Sequence, residues 1–191
     1  IKPASLISDP SKMQVGYVGS FYKGKGLEIV LKLADAYPWA EFNIVGGNKE
    51  EIQKCKQDNP NLYNIHFYGY QPHSKVYPYI KAFDVLLLPN QQKVAVLGGS
   101  GNIGHWTSPL KLFEYMAAHK PILCSDIDIL KEIVQHERNV LLCNPENIEE
   151  WKTNLERIKE DKFIANKIAD QAFIDFNNNY TWFIRAKKVL V

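Results

Sequence analysis

The sequence alternates short apolar runs, rich in residues that favour strands, with stretches whose apolar residues recur at helical spacing. Glycine, proline or asparagine closes most of these segments, as expected at the ends of strands and helices. The alternation predicts strands at 13–18, 41–45, 65–68, 83–88, 121–125 and 139–142. It predicts helices at 27–36, 49–57, 74–82, 110–118, 127–135 and 181–191. Pro78 falls inside the third helix, which it is expected to disturb locally because it lacks a backbone donor.

Strands that alternate with helices predict the α/β class, here a doubly wound, Rossmann-like parallel sheet of about six strands. Such sheets bind ligands at the carboxyl ends of their strands. The ligand loops are therefore expected after Val18, Val45, Leu88 and Cys124. Residues 90–107, rich in Gln and Gly, are predicted to form a long loop, and loops of that length are often functional.

With 191 residues and 46% hydrophobic content, the chain is long enough for one well-cored domain. We assign residues 13–179 to this domain. The polar segment 1–12, which begins Ile-Lys-Pro-Ala-Ser without an initiator Met, is interpreted as an interdomain lead-in that starts at an internal cut. Residues 180–191 are predicted to form a helix that packs towards a missing N-terminal domain.

The charges nearly balance, since the sequence has 23 Lys and Arg residues and 21 Asp and Glu residues. They are scattered, so we expect no nucleic-acid partner. Apolar stretches fall short of the ~20 residues that span a bilayer. The three cysteines are far apart, and two of them lie in apolar runs, which favours reduced thiols and a cytoplasmic location.

A Gly/Lys turn at 19–26, Gly-Ser-Phe-Tyr-Lys-Gly-Lys-Gly, separates the first strand from the first helix. Glycines let backbone N–H groups approach a phosphate, the helix start is electropositive, and a lysine adds a point charge. Lys25 is the preferred phosphate ligand and Lys23 the weaker candidate, although a solvated turn would look similar. The spacing of a Walker A loop is absent.

The helix at 110–118 has Ser108 as its predicted N-cap and Pro109 at its first position. Leu110, Phe113 and Met116 are predicted to form its buried stripe, which places Lys111 and Glu114 together near the helix start. A surface ion pair is the simpler interpretation of these two charges. A site for a diphosphate and a ribose is the alternative, because the helix start offers free N–H groups and follows a Gly-rich loop.

Two motifs carry a family resemblance: Ser-Pro-Leu-Lys-Leu-Phe-Glu-Tyr-Met-Ala-Ala-x-Lys-Pro-Ile from Ser108, and Ser-Asp-x-x-x-Leu-x-Glu-Ile-Val from Ser125. Together they resemble the C-terminal domain of the GT-B retaining glycosyltransferases related to sucrose synthase and bacterial mannosyltransferases. Gly-x-Phe-x-x-Gly-Lys-Gly at 19–26 is similar to that family's phosphate loop. The residues at 83–89 resemble its fourth strand, and Tyr-Thr-Trp at 180–182 resembles the start of its terminal helix.

The resemblance implies transfer of a sugar from a nucleoside diphosphate donor to an acceptor with retention, in cell-envelope glycan synthesis. Lys25 would contact the donor phosphates and Glu114 the ribose, while Leu110 and Lys111 would lie near the diphosphate. Catalysis, as stabilisation of the leaving diphosphate, is assigned to Lys25 and Lys111. The donor-binding set is Gly19, Ser20, Lys25, Trp106, Ser108, Pro109, Leu110, Lys111 and Glu114. The base-binding set, from resemblance only, is Gly69, Tyr70 and Gln71.

Two departures from the family pattern matter. Ser20 stands where relatives often have Arg, so a phosphate cation is missing or replaced. Trp106 stands where many relatives have a Glu that reaches the transferred sugar, and His105, Trp106 and Thr107 are placed to touch that sugar instead. Trp106 could equally be a lid or packing residue.

No metal and no cofactor are expected, because the histidines show no metal-ligand spacing and the nucleotide sugar is a substrate. A glycan or lipid-linked acceptor is expected to bind through the missing N-terminal domain. The basic, aromatic segment at 180–191 is compatible both with packing against that domain and with peripheral contact at the inner face of a membrane.

Two other interpretations stay open. Gly99, Gly101 and Gly104 have the Gly-x-Gly-x-x-Gly spacing of an NAD(P)-dependent oxidoreductase. Pro109 would then interrupt the helix that must start at those glycines, at a cost of ~3 kcal/mol. A nucleotide-binding module without catalytic activity is the third interpretation.

Overall fold

The computed structural model describes residues 1–91, 95–96, 99–102 and 110–189. Within these ranges the strands are β1 (Met13–Val18), β2 (Ala40–Val45), β3 (Ile65–Gly69), β4 (Val85–Leu88), β5 (Ala95–Val96), β6 (Gly99–Asn102), β7 (Ile122–Ser125) and β8 (Leu141–Cys143). The helices are α1 (Leu27–Ala36), α2 (Lys49–Asp58), α3 (His73–Ala82), α4 (Leu110–Ala117), α5 (Asp128–Lys131), α6 (Ile148–Glu160), α7 (Lys162–Asn179) and α8 (Trp182–Val189).

Six strands form one sheet in the order β3-β2-β1-β4-β7-β8, and every neighbouring pair is parallel. The chain builds outward from β1 to β3, then crosses to the other side of β1 and builds outward again from β4 to β8. This confirms the predicted α/β, doubly wound sheet of six strands. The strand order reverses between β1 and β4, and a crevice at the carboxyl ends of such a pair is where these folds bind ligands.

Side chains of the central strands alternate between two separate cores. Leu87 packs with α1 and α6 on one face, around the fully buried Trp151, while Leu86 packs with α4 on the other, around Met116. Burial on both faces explains why these strands appear in the sequence as continuous apolar runs rather than as polar and apolar alternation.

Three predicted elements differ from the structure. The helix expected at 127–135 is only the single turn α5. Helix α3 continues through Pro78, because packing of the buried Ile80 outweighs the loss of one backbone donor near the middle of the helix. The long loop expected at 90–107 contains β5 and β6, which pair with each other as a two-stranded antiparallel sheet.

The segment at 1–12 is fastened to the domain. The N–H of Ala4 donates to the carbonyl of Pro78, and the N–H of Ile7 donates to the Tyr68 hydroxyl. The buried hydroxyl of Ser8 donates to the side chain of Gln14 at the start of β1. These contacts order most of the predicted lead-in against α3 and the sheet.

At the other end of the chain, α8 leaves Trp182 and Phe183 exposed. Packing of this helix against a further domain therefore stays a prediction. None of the helices in the described residues has a hydrophobic stretch sufficient to traverse a bilayer.

Candidate functional site

The loops that follow β1, β2 and β3 enclose a cavity of about 420 Å³ at the carboxyl edge of the sheet. Its walls are Gly19 and Ser20 after β1, Gly46 to Asn48 after β2, and Tyr70 and Gln71 after β3. Asn48 and Glu51 close one side through a reciprocal capping box at the start of α2. A cleft of this size fits a small-molecule ligand better than a macromolecule.

Glycines allow the loops around the cavity to approach one another closely. A Cβ on Gly46 would lie 1.9 Å from the carbonyl oxygen of Gly19, and a Cβ on Gly26 would lie 1.9 Å from that of Pro89. The N–H of Gln91 also donates to the carbonyl of Gly24 at 2.8 Å. The turn after β1 is therefore held against the end of β4, at the strand pair where the topology reverses.

Two buried tyrosines hold the end of β1 and the turn that follows it. Tyr115 on α4 accepts a hydrogen bond from the N–H of Val18, at 3.0 Å, on the last residue of β1. The hydroxyl of Tyr17 contacts the carbonyls of Ser20, at 2.9 Å, and Lys25, at 3.3 Å. Burial raises the pKa of both phenols, so they remain neutral hydrogen-bonding groups at physiological pH.

The Lys111 ammonium lies next to Gly19, where the positive charge of Lys25 also acts on it. The Lys111 Nζ lies 5.9 Å from the ring centroid of Tyr17 and 3.1 Å from where a Cβ on Gly19 would be. Burial, together with the positive charge of Lys25, lowers the pKa of Lys111 to about 8. Burial also lowers the pKa of Lys25. A bound anion would offset the cost of burying these two positive charges, so the lysines favour an anionic ligand.

Lys111 and Glu114 do not form the simple surface ion pair considered above. The Lys111 side chain turns towards Tyr17, whereas Glu114 accepts a hydrogen bond at 2.6 Å from Nε2 of His73 at the start of α3. The Glu114 side chain is 27% exposed, so part of its carboxylate remains accessible to a ligand.

The predicted buried stripe of α4 is confirmed at Met116, holds only in part at Phe113, and is wrong at Leu110. Leu112, Tyr115 and Met116 face the core, while Leu110 is 52% exposed. Packing of α4 against α7, together with the bond between Tyr115 and Val18, selects this face. The helix start at Leu110, as predicted, lies at the carboxyl edge with Lys111 pointing inward.

The predicted base-binding residues follow β3. Gly69 is linked to Gly46, whose N–H donates to the Gly69 carbonyl at 2.9 Å. Tyr70 is 78% exposed on the cavity rim, and the Gln71 amide donates to the carbonyl of Tyr68. Tyr70 and Gln71 therefore line the same cavity as Gly19 and Ser20, whereas Gly69 is the last residue of β3 and does not line it.

Several predicted site residues lie outside the described part of the chain: Trp106, Ser108 and Pro109, together with His105 and Thr107. Conversely, the residue-level predictions missed Gly46, Gly47, Glu51 and His73. The glycine pair had a signal, because it directly follows a predicted strand. Glu51 and His73 had none, since their places depend on how α2 and α3 pack.

The dinucleotide interpretation disagrees with the structure. Gly99 and Gly101 lie in β6, paired antiparallel with β5, whereas the fingerprint requires these glycines at a turn from a parallel strand into a helix. Gly104 lies outside the described residues. Among the residues that are described, no three His, Cys, Asp or Glu side chains are grouped so as to hold a metal ion.

Solved structures with the same fold include three informative neighbours. Sucrose-phosphate synthase from Thermosynechococcus elongatus is 20% identical, with a TM-score of 0.78 over 95% of this chain and 44% of that one. HepE of Anabaena, in complex with UDP and glucose, is 17% identical, with a TM-score of 0.76 over 94% of this chain and 47% of that one. The chain therefore spans less than half of either protein.

A third neighbour matches in length as well as in fold. The C-terminal domain of the glycosyl transferase group 1 family protein LpcC from Francisella tularensis is 19% identical, with a TM-score of 0.69. The match covers 95% of this chain and 96% of that domain. A comparison with curated proteins finds no match.

The family model described as "Glycosyl transferases group 1" matches residues 2–174, which is most of the chain and includes every element from β1 to α6. The fold, with its six parallel strands, is that of glycosyltransferase domains of known structure. The chain belongs to the glycosyl transferases group 1 family.

Proposed function

We propose that this chain binds the nucleoside diphosphate sugar of a retaining glycosyltransferase and stabilises the diphosphate as it leaves. The observation that carries the proposal is the buried Lys111 ammonium beside Gly19, within the electrostatic influence of Lys25, at the strand pair where the topology reverses. Buried positive charges with lowered pKa values are unfavourable without a counter-charge and become favourable once an anion neutralises them.

Each described part of the site has a role in this reaction. Lys111 and Lys25 contact the diphosphate, joined by backbone N–H groups at the start of α4 near Leu110. Glu114 accepts hydrogen bonds from the ribose hydroxyls. The cavity lined by Tyr70, Gln71, Gly19 and Ser20 holds the base, with Gly69 directly before Tyr70 at the end of β3.

Bond cleavage follows from this arrangement. As the bond between the sugar and the diphosphate breaks, negative charge grows on the leaving oxygen, and donors already aimed at that position lower the barrier. The leaving group comes from the substrate, so we propose that no cofactor takes part. Retention is supported by the resemblance of residues 108–134 to retaining enzymes. HepE of Anabaena, which has the same fold, has been solved in complex with UDP and glucose.

The rest of the reaction belongs to a longer protein. Since the chain spans 44–47% of the first two neighbours, we propose that the remaining part supplies the acceptor site, for a glycan or a lipid-linked sugar. Cell-envelope glycan synthesis in the cytoplasm, with contact at the inner membrane face through residues 180–191, is the setting we propose.

Nucleotide binding tests the proposal directly. UDP or GDP at a hundred times its dissociation constant should stabilise the chain by about 2.7 kcal/mol. That corresponds to a rise in melting temperature of roughly 5–10 °C for a domain of this size. NAD and NADP serve as matched controls because they also carry a diphosphate. Stabilisation by NAD or NADP, with none by UDP or GDP, would contradict the proposal. Donor turnover by the longer protein separates an enzyme from a silent binding module.

Binding should also weaken in alkaline solution. Lys111 attracts the diphosphate only while protonated, and its pKa in the free protein is about 8. Affinity for UDP should therefore be highest below this pKa and should fall as the pH rises through it. We expect a decrease of about tenfold between pH 7.5 and 9.5. Isothermal titration calorimetry across this range measures the change. Lys111→Met should show a shallower decline, and an equal decline in both proteins would exclude Lys111 as its source.

A further inference from the structure

Glu114, which the proposed function assigns to the ribose, is held by a residue of a different helix. Nε2 of His73 lies 2.6 Å from Oε1 of Glu114, across 41 residues of sequence. An ionised carboxylate only accepts hydrogen bonds, so Nε2 must carry the proton and donate it. Lys111, one turn before Glu114 on α4, turns towards Tyr17 instead. His73 is thus the contact among the described residues that orients this carboxylate.

The contact between His73 and Glu114 contributes little to the stability of the fold. The His73 side chain is 88% exposed, and hydrogen-bonded pairs with one solvated partner contribute little to folding. The contact uses Oε1 of Glu114, which leaves Oε2 on the same carboxylate available to a ligand. His73 also lies two residues after Gln71, which lines the cavity together with Tyr70, so it links that loop to α4.

We propose that His73 is a positioning residue, which holds the Glu114 carboxylate ready for the ribose hydroxyls and couples the base loop to ribose recognition. The inference rests on the proposed function, which it deepens. Without His73, the Glu114 side chain would have to lose its rotamer freedom when the nucleotide binds, and that cost would weaken binding. Because the effect acts through Glu114, it exists only for ligands that have ribose hydroxyls.

The test compares His73→Ala with the unmodified 191-residue chain by calorimetry. The ligands are UDP and GDP, each beside its 2′,3′-dideoxy analogue, which presents the same base and diphosphate. His73→Ala should weaken binding of the ribonucleotide about three- to tenfold. It should leave the affinity for the dideoxy analogue unchanged, and the melting temperature of the free chain should also stay the same.

Two further variants sharpen the test. His73→Gln keeps a side-chain donor and should recover most of the ribonucleotide affinity. Lys75→Ala, which removes another exposed side chain from the same end of α3, should change neither affinity. In a Glu114→Gln background, His73→Ala should have no additional effect, because the carboxylate that it positions is gone.

The remaining outcomes overturn the inference in distinguishable ways. Equal weakening of the ribonucleotide and its dideoxy analogue would mean that His73 itself contacts the base or the phosphates. Unchanged ribonucleotide binding in His73→Ala, while the unmodified chain still discriminates between the two ligands, would refute the inference alone. A chain that binds none of the four nucleotides would refute the proposed function and this inference together.

Discussion

Replacing Lys111 with Met is expected to weaken binding of the nucleoside diphosphate about 10- to 100-fold, the typical worth of a hydrogen bond to a charged group. Met keeps the apolar stem against Tyr17 and removes only the ammonium, so the fold is retained. In the longer enzyme we also expect kcat to fall, by about a hundredfold if the ammonium stabilises the leaving diphosphate. Calorimetry with UDP and GDP measures the first effect, and donor turnover measures the second.

Lys120→Met is the matched control for this variant. Lys120 is also partly buried, and burial lowers its pKa too, but it precedes β7 at the opposite edge of the sheet. Nucleotide affinity should therefore be unchanged. The melting temperature of ligand-free Lys111→Met should not fall, because burial already disfavours the charge that the substitution removes. Undiminished affinity in Lys111→Met would exclude this lysine from the diphosphate site.

The largest loss of stability is expected from Gly26→Ala. Gly26 has φ 80° at the start of α1, a conformation that costs an L-residue about 1–2 kcal/mol, and its new Cβ would lie 1.9 Å from the carbonyl oxygen of Pro89. Relief of that overlap costs about 1–3 kcal/mol more. We expect a melting temperature lower by roughly 5–15 °C, measured by calorimetric or optical unfolding.

Gly69→Ala separates the cost of the backbone conformation from the cost of the steric overlap. Gly69 has φ 67°, yet the nearest atom to its Cβ position is Ile52 Cδ1 at 3.9 Å, so this variant carries the conformational cost without the overlap. It should lose about 1–2 kcal/mol. An equal loss in the two variants would show that the close approach of the turn after β1 to the end of β4 contributes nothing to stability.

Local patterns were sufficient for most of the fold. Strand and helix signals act over a few residues, through backbone conformation and through burial of one or two faces. For this reason β1, α1 and α4 were predicted at or near their observed bounds. The turn at 19–26 was recognisable as well, because close backbone approach needs glycine and the chemistry of phosphate binding needs lysine.

The rotation of α4 was beyond local information. Apolar residues occur on nearly every side of this helix, so a stripe through Leu110 and one through Leu112 fit the sequence equally well. Contact with α7 and the hydrogen bond from Val18 to Tyr115 select the second. That choice also decides which way Lys111 points, which is why the surface ion pair with Glu114 does not form.

The sequence by itself determined that this chain forms a doubly wound sheet with a glycine and lysine turn after its first strand, since each of these properties depends on neighbouring residues. Only the tertiary structure decided that the charge of Lys25 acts on Lys111 and that His73 contacts Glu114. Those pairs are 86 and 41 residues apart. Both interactions form because β1 lies beside β4 and α3 lies beside α4, and that placement depends on packing of the whole sheet.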